Sequence, residues 1–160
     1  MSARTGAEGI TFLDHTADVG IDVRAPSLEL LFHRAAVGML MLLQGRDDEE
    51  VDPDAADAGD ATGSGVEGPA GVEVRRVELE ADDVARLLAD WLKELLFLHE
   101  TRHADYARAT FDRLGEAVLE ARVQTEPSAP AVREIKGVTY HELGVERTAG
   151  EWEARVIFDV

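Results

Sequence analysis

The chain has no cysteine. Disulfides and thiolate metal sites are therefore excluded, and any metal must be held by oxygen or nitrogen donors. The lack of thiols also fits a reducing compartment, so a cytoplasmic location is expected. Positive charge is scarce. Lys plus Arg number 16 against 33 Asp plus Glu, for a net charge of −17, and only Lys93 and Lys136 are lysines. Phosphate backbones and anionic lipid repel such a chain, so neither direct nucleic-acid binding nor membrane association is expected. A metal cation or a basic protein partner is favoured instead. No apolar run approaches the ~20 residues of a membrane span. The first nine residues lack the apolar segment of a secretion signal. A P-loop, a Gly-rich dinucleotide turn, a nucleophile elbow and a His-Glu-x-x-His helix are all missing.

What is present fits one globular unit. The 160 residues are 45% hydrophobic, enough for a sizeable core, so a single domain over 1–160 is expected. The stretch 44–71 stands apart: nine acidic residues, one Arg, six glycines and two prolines. It cannot bury enough apolar surface to offset its ordering entropy, and it reads as a mobile acidic insertion within that domain. It carries −8 of the net −17.

The flanking segments are strongly patterned. Thr11 to Leu13 reads as a strand start, and Val19, Ile21 and Val23 alternate with Gly20, Asp22 and Arg24 as a half-buried strand. Ser27 is a good N-cap, followed by Leu28, Leu31, Phe32, Ala35, Met39 and Leu42 at helical spacing, which predicts a helix over 27–43. A strand over 72–80 follows, with a bulge or twist between Val74 and Val77 where the apolar phase slips. Asp82 or Asp83 caps a second helix, whose core face is Val84, Leu87, Leu88, Trp91, Leu95 and Leu98, widened by Leu92, Leu96 and Phe97. A hairpin turns near Gly115, and strands over 138–146 and 152–160 complete the chain. The order ββ-α-β-α-ββ-ββ predicts an α+β two-layer sandwich, a mixed sheet with two long helices on one face.

Candidate chemistry concentrates at the two ends. Asp14, His15, Thr16 and Asp18 form a polar knot inside an apolar run. Alone, it reads as a turn in which the carboxylates satisfy local backbone donors. Asp159 is followed only by Val160, so two carboxylates lie close together there. They repel one another unless a cation or basic group intervenes, or unless the end is a frayed, solvated tail. If Asp18 approaches Asp159, three carboxylates meet, and oxygen-only ligation suits Ca²⁺ or Mg²⁺, with Mn²⁺ also open. His15 could join, although a lone His is more often a hydrogen-bonded structural residue. His99 and His103 have the i, i+4 spacing of a zinc pair, but no third ligand is evident and the helix dipole alone favours them there. Lys136, Thr139, Tyr140 and His141 form a polar patch that suits either recognition or an ordinary strand. No nucleophile–base pair stands out. The residues therefore describe a metal-binding accessory domain before an enzyme, with a metal-dependent hydrolase on the same carboxylates as the weaker alternative.

The run Phe12-Leu13-Asp14-His15-Thr16-Ala17-Asp18-Val19-Gly20 closely resembles the N-terminal signature of the archease family. Ser27-Leu28-Glu29, Trp91-Leu92-Lys93-Glu94-Leu95-Leu96, Glu134-Ile135-Lys136-Gly137-Val138-Thr139-Tyr140-His141 and the terminal Phe158-Asp159-Val160 agree in order. The resemblance implies an α+β sandwich and an accessory protein, not itself a ligase, that serves a GTP-dependent RNA ligase. It would promote ligase guanylylation and multiple turnover in tRNA splicing or RNA repair. It also implies a metal site on Asp18, Asp159 and the Val160 terminus, with Ca²⁺ ahead of Mg²⁺ or Mn²⁺. Asp14, His15, Lys136 and His141 would support it. The runner-up function is a chaperone or modulator of a tRNA- or rRNA-modifying methyltransferase. Two departures from the family pattern are the acidic insertion and the run Ala129-Pro130-Ala131-Val132-Arg133, which lacks the usual His.

Overall fold

The computed structural model describes residues 2–14, 18–47 and 72–160, with side chains from residue 8 onward. His15, Thr16 and Ala17 of the polar knot, and 48–71 of the acidic insertion, lie outside the described residues. The elements are β1 (Ser2–Ala7), β2 (Ile10–Asp14), β3 (Asp18–Ala25), α1 (Leu28–Leu43), β4 (Glu73–Glu80), α2 (Val84–Arg102), β5 (Ala104–Leu114), β6 (Val118–Pro127), β7 (Gly137–Thr148) and β8 (Glu151–Asp159). The α+β architecture agrees with the sequence. The single mixed sheet does not: the strands form a five-stranded sheet, β1-β2-β3-β8-β7, and a three-stranded sheet, β4-β6-β5. Every pairing is antiparallel. Both helices touch both sheets, α1 through β3 and β5, α2 through β7 and β5.

Local chemistry sets the helix ends. The Ser27 hydroxyl accepts from the Leu30 N–H at 3.2 Å, and Asp83, not Asp82, caps α2 by accepting from the Arg86 N–H at 2.8 Å. At its far end, α1 closes with Gly45 at φ +65°. The Arg46 N–H reaches the Met41 carbonyl at 2.8 Å, and the Gly45 N–H reaches that of Leu42 at 3.2 Å, a Schellman arrangement. Residues 44–47 of the predicted mobile insertion are thus built into the fold. Asp47 is itself buried and pairs with Arg133 at 3.4 Å.

The core is one apolar cluster drawn from both helices and both sheets. At its centre Trp91 is fully buried, and its indole N–H donates to the Phe32 carbonyl at 3.1 Å. Phe32, Tyr106 and Phe111 pack around it with tilted and edge-on rings. The apolar face of α2 follows its sequence pattern except at Phe97, which is exposed. Strand β4 pairs in unbroken register with β6, so the predicted bulge is absent. The phase slip has a simpler cause: Val77 is buried while Val74 is exposed beyond the core. Strand β1 has no sequence signature, because Ser2-Ala3-Arg4-Thr5-Gly6-Ala7 carries no apolar alternation. It is an edge strand, held by its backbone ladder to β2.

Candidate metal centre

The site is built by the pairing of β3 with β8, two segments from opposite ends of the chain. Their register places Asp18 directly opposite Asp159. Directly opposed residues in an antiparallel pair point to the same side of the sheet, with Cα atoms about 4.5–5.5 Å apart. Val19, Ile21 and Val23 face the core, with Val156 and Phe158. By alternation, Asp18, Gly20, Asp22 and Arg24 stand on the other face with Asp159, Ile157, Arg155 and Glu153.

The charges along that outer row are informative. Arg24 opposes Glu153 and bonds it at 3.1 Å. Asp22 opposes Arg155, which grips it with two N–H donors at 2.7 and 2.8 Å. That hydrogen-bonded carboxylate, with its negative charge, raises the Arg155 pKa above its ordinary value. The third charged pair breaks the pattern. Asp18 and Asp159 carry like charge, and among the described residues no hydrogen bond or ion pair reaches either carboxylate. Like charges directly opposed on a sheet are destabilising.

Backbone geometry holds the strands tightly here. A Cβ on Gly20 would meet Ile157 Cδ1 at 2.7 Å and the Val156 carbonyl oxygen at 2.9 Å, so only glycine allows the approach. Beside Asp18 lies a pocket of about 180 Å³ with an apolar floor of Leu13, Gly20 and Ile157, rimmed by His141 and Glu142. The Lys136 N–H donates to the Asp159 carbonyl at 2.7 Å, and Gly137 pairs with Asp159 as β7 begins. Asp159 is thereby fixed between two strands. Val160 is half-buried against the core.

Of the residues singled out from the sequence, the structure brings together Asp18, Asp159, the Lys136 backbone and His141. Asp14 pairs with Val19 and so stands on the opposite face of the sheet from Asp18. His99 and His103 do not form a pair. His103 takes the left-handed C-cap of α2, while His99 Nδ1 lies 2.6 Å from Asp105 Oδ1 and 3.0 Å from the Ser128 hydroxyl. Among the described residues no three His, Asp or Glu side chains gather as a metal cage. Two further residues of this region carry no distinguishing sequence pattern. Along the sequence Ile157 is an ordinary alternating strand residue, and Glu142 gives no signal because its placement depends on an irregularity in β7.

Residues 11–160 match the family model of the archease protein family. The chain belongs to the archease family. An archease from Methanosarcina mazei is 31% identical over 157 residues, covering 93% of this chain and 94% of the relative. One from Methanothermobacter thermautotrophicus is 28% identical, covering 96% and 99%. The solution structure of Methanobacterium thermoautotrophicum protein 1598 superposes with a TM-score of 0.65 at 27% identity, covering 96% of this chain and 99% of the other. The crystal structure of a Thermotoga maritima archease, described as a possible chaperone, gives a TM-score of 0.55 at 18% identity, covering 100% and 99%, which shows the shared fold. Among the described residues no helix is long and apolar enough to cross a membrane.

Proposed function

We propose that this archease is a metal-binding accessory protein that activates a GTP-dependent RNA ligase, promoting its guanylylation and repeated turnover. The observation that carries the reading is the like-charged pair Asp18–Asp159, set in a row whose other charged cross-strand pairs are complementary. A bound divalent cation would cancel the repulsion. The donors fit a hard ion: they are carboxylate oxygens, with no thiolate in the chain. Asp18 and Asp159, with Val160 beside them, would hold it, Ca²⁺ first and Mg²⁺ or Mn²⁺ next. The ion when bound would supply positive charge for phosphate oxygens.

The protein's own residues do the rest. The β3–β8 ladder keeps the two carboxylates on one face, and the Lys136 and Gly137 backbone fixes Asp159 from the other side. His141 and Glu142 are exposed at the rim of the pocket, the side from which a partner's nucleotide site would approach. The partner is a protein rather than RNA, because a chain of net charge −17 repels a phosphate backbone. The activity belongs to the ligase; this chain assists as an activator.

The test is to mix a partner ligase with GTP, with and without this protein, and follow guanylylation. Faster guanylylation with the wild type, lost in Asp18→Ala and Asp159→Ala, is the expected result. Unchanged rates on adding the protein would sink the proposal, as would an Asp18→Ala variant that stimulates fully.

A further inference from the structure

Strand β7 leaves its ladder beside the Asp18 pocket. It takes five steps from Thr139 to Gly144, while β8 takes two from Ile157 to Arg155. The excess chain loops out as a wide bulge, and Glu142 within it adopts φ +55°, a left-handed conformation that a non-glycine residue holds only when its surroundings impose it. Two side chains of the bulge, His141 and Glu142, rim the pocket that contains Asp18. Both are exposed, so burial does not fix them.

The restraint comes from α2. The Tyr140 ring has the Arg86 guanidinium 4.5 Å from its centroid and the Lys93 ammonium at 4.2 Å, and the Lys93 ammonium also donates to the Tyr140 hydroxyl. Tyr140 is 47% exposed, so these cation–π contacts, rather than core packing, hold it. Arg86 and Lys93 lie seven residues apart, two turns along one face of the helix. One end of the bulge is also pinned, since the Thr139 hydroxyl donates to the Ile157 carbonyl at 3.1 Å.

We propose that Tyr140 is a positioning residue: gripped by Arg86 and Lys93, it holds the β7 bulge so that His141 and Glu142 stand over the Asp18 pocket. The Glu142 carboxylate there adds negative potential for a cation, and the rim narrows the opening. Loss of the grip frees the bulge and weakens cation binding without touching Asp18 or Asp159. The inference rests on the metal-binding reading above, so its experiment has one arm for each.

Mn²⁺ titration and amide hydrogen exchange are measured on the whole protein, on Tyr140→Phe, Tyr140→Ala and the double variant Arg86→Met/Lys93→Met, with Asp18→Asn as reference. Tyr140→Ala and the double variant should each weaken Mn²⁺ binding about tenfold, the effect typical of residues that orient a metal site from behind. They should also speed exchange at 141–143, with the thermal midpoint nearly unchanged. Tyr140→Phe keeps the ring between the two cations and should bind Mn²⁺ as the wild type does. Wild-type affinity and exchange in the double variant, which leaves β7 unaltered, would overturn the proposal, as would loss of Mn²⁺ binding in Tyr140→Phe equal to that in Tyr140→Ala. If Asp18→Asn binds Mn²⁺ as tightly as the wild type, the metal reading fails. The exchange arm then judges the Tyr140 grip by itself.

Discussion

At the scale of single residues, the candidate site depends on what glycine permits. Gly20 lies between Asp18 and Asp22 on β3, and its missing side chain lets β8 approach until Ile157 and the Val156 carbonyl fill the space. Gly20→Ala puts a methyl group against backbone, which cannot turn aside as a side chain can. Overpacking of this kind costs about 1–3 kcal/mol. A thermal or urea melt should show that loss, and Mn²⁺ affinity should fall with it because the strands part beside Asp18. Asp18 could be singled out from the sequence, since its polar knot interrupts an apolar run. Its partner could not be found by periodicity. Asp18 and Asp159 lie at opposite ends of the chain, and only the register of β3 against β8 joins them. The family resemblance implied the contact, and the ladder shows the two residues opposed.

Among the elements, the two helices were the most legible. Each has a side-chain cap and an apolar stripe that a single sequence displays. Elements that depend on non-local pairing were harder. Strand β1 has no apolar pattern, and the bulge in β7 is a difference in length between two strands that neither strand reveals alone. The same holds for the polar staple that ties the helix ends to the small sheet. Asp105, 2% exposed at the start of β5, accepts from the Ser128 hydroxyl at 2.7 Å, the Ala129 N–H at 3.3 Å and the Gln44 side-chain amide at 3.4 Å, and lies 2.6 Å from His99. Read along the sequence, Asp105 is an unremarked residue after a helix. In the fold it satisfies groups from α1, α2 and the loop after β6. Asp105→Asn replaces an acceptor with a donor on one side and should cost about 1–3 kcal/mol, the penalty for leaving buried polar groups unpaired. Chemical denaturation checks this. A variant within 0.5 kcal/mol of wild type, the range of about ±0.5 kcal/mol that surface substitutions show, would mean the staple is not needed.

For the molecule as a whole, net charge disfavours polyanionic partners. A net charge of −17 leaves little attraction for a polyanion, and the basic groups on the outer sheet face, Arg24 and Arg155, are already held by Glu153 and Asp22. Fluorescence anisotropy with labelled tRNA at about 0.15 M salt, where the screening length is about 8 Å, should therefore show no saturable binding. Tight binding would contradict the charge argument and favour a direct role on RNA. The acidic character was plain from composition, and the two helices and the α+β class from apolar spacing, caps and element order. The division into two sheets was not, because strand order is set by packing that no local pattern encodes. In the function proposed above, the opposed carboxylates make this chain an activator. The most direct measurement counts RNA ends joined per ligase molecule in the presence of GTP and divalent cation. Wild-type protein should carry the ligase through many rounds, while the Asp18→Asn/Asp159→Asn double variant, folded by its melt, should leave it near a single round. Equal turnover with the double variant and the wild type would contradict the account.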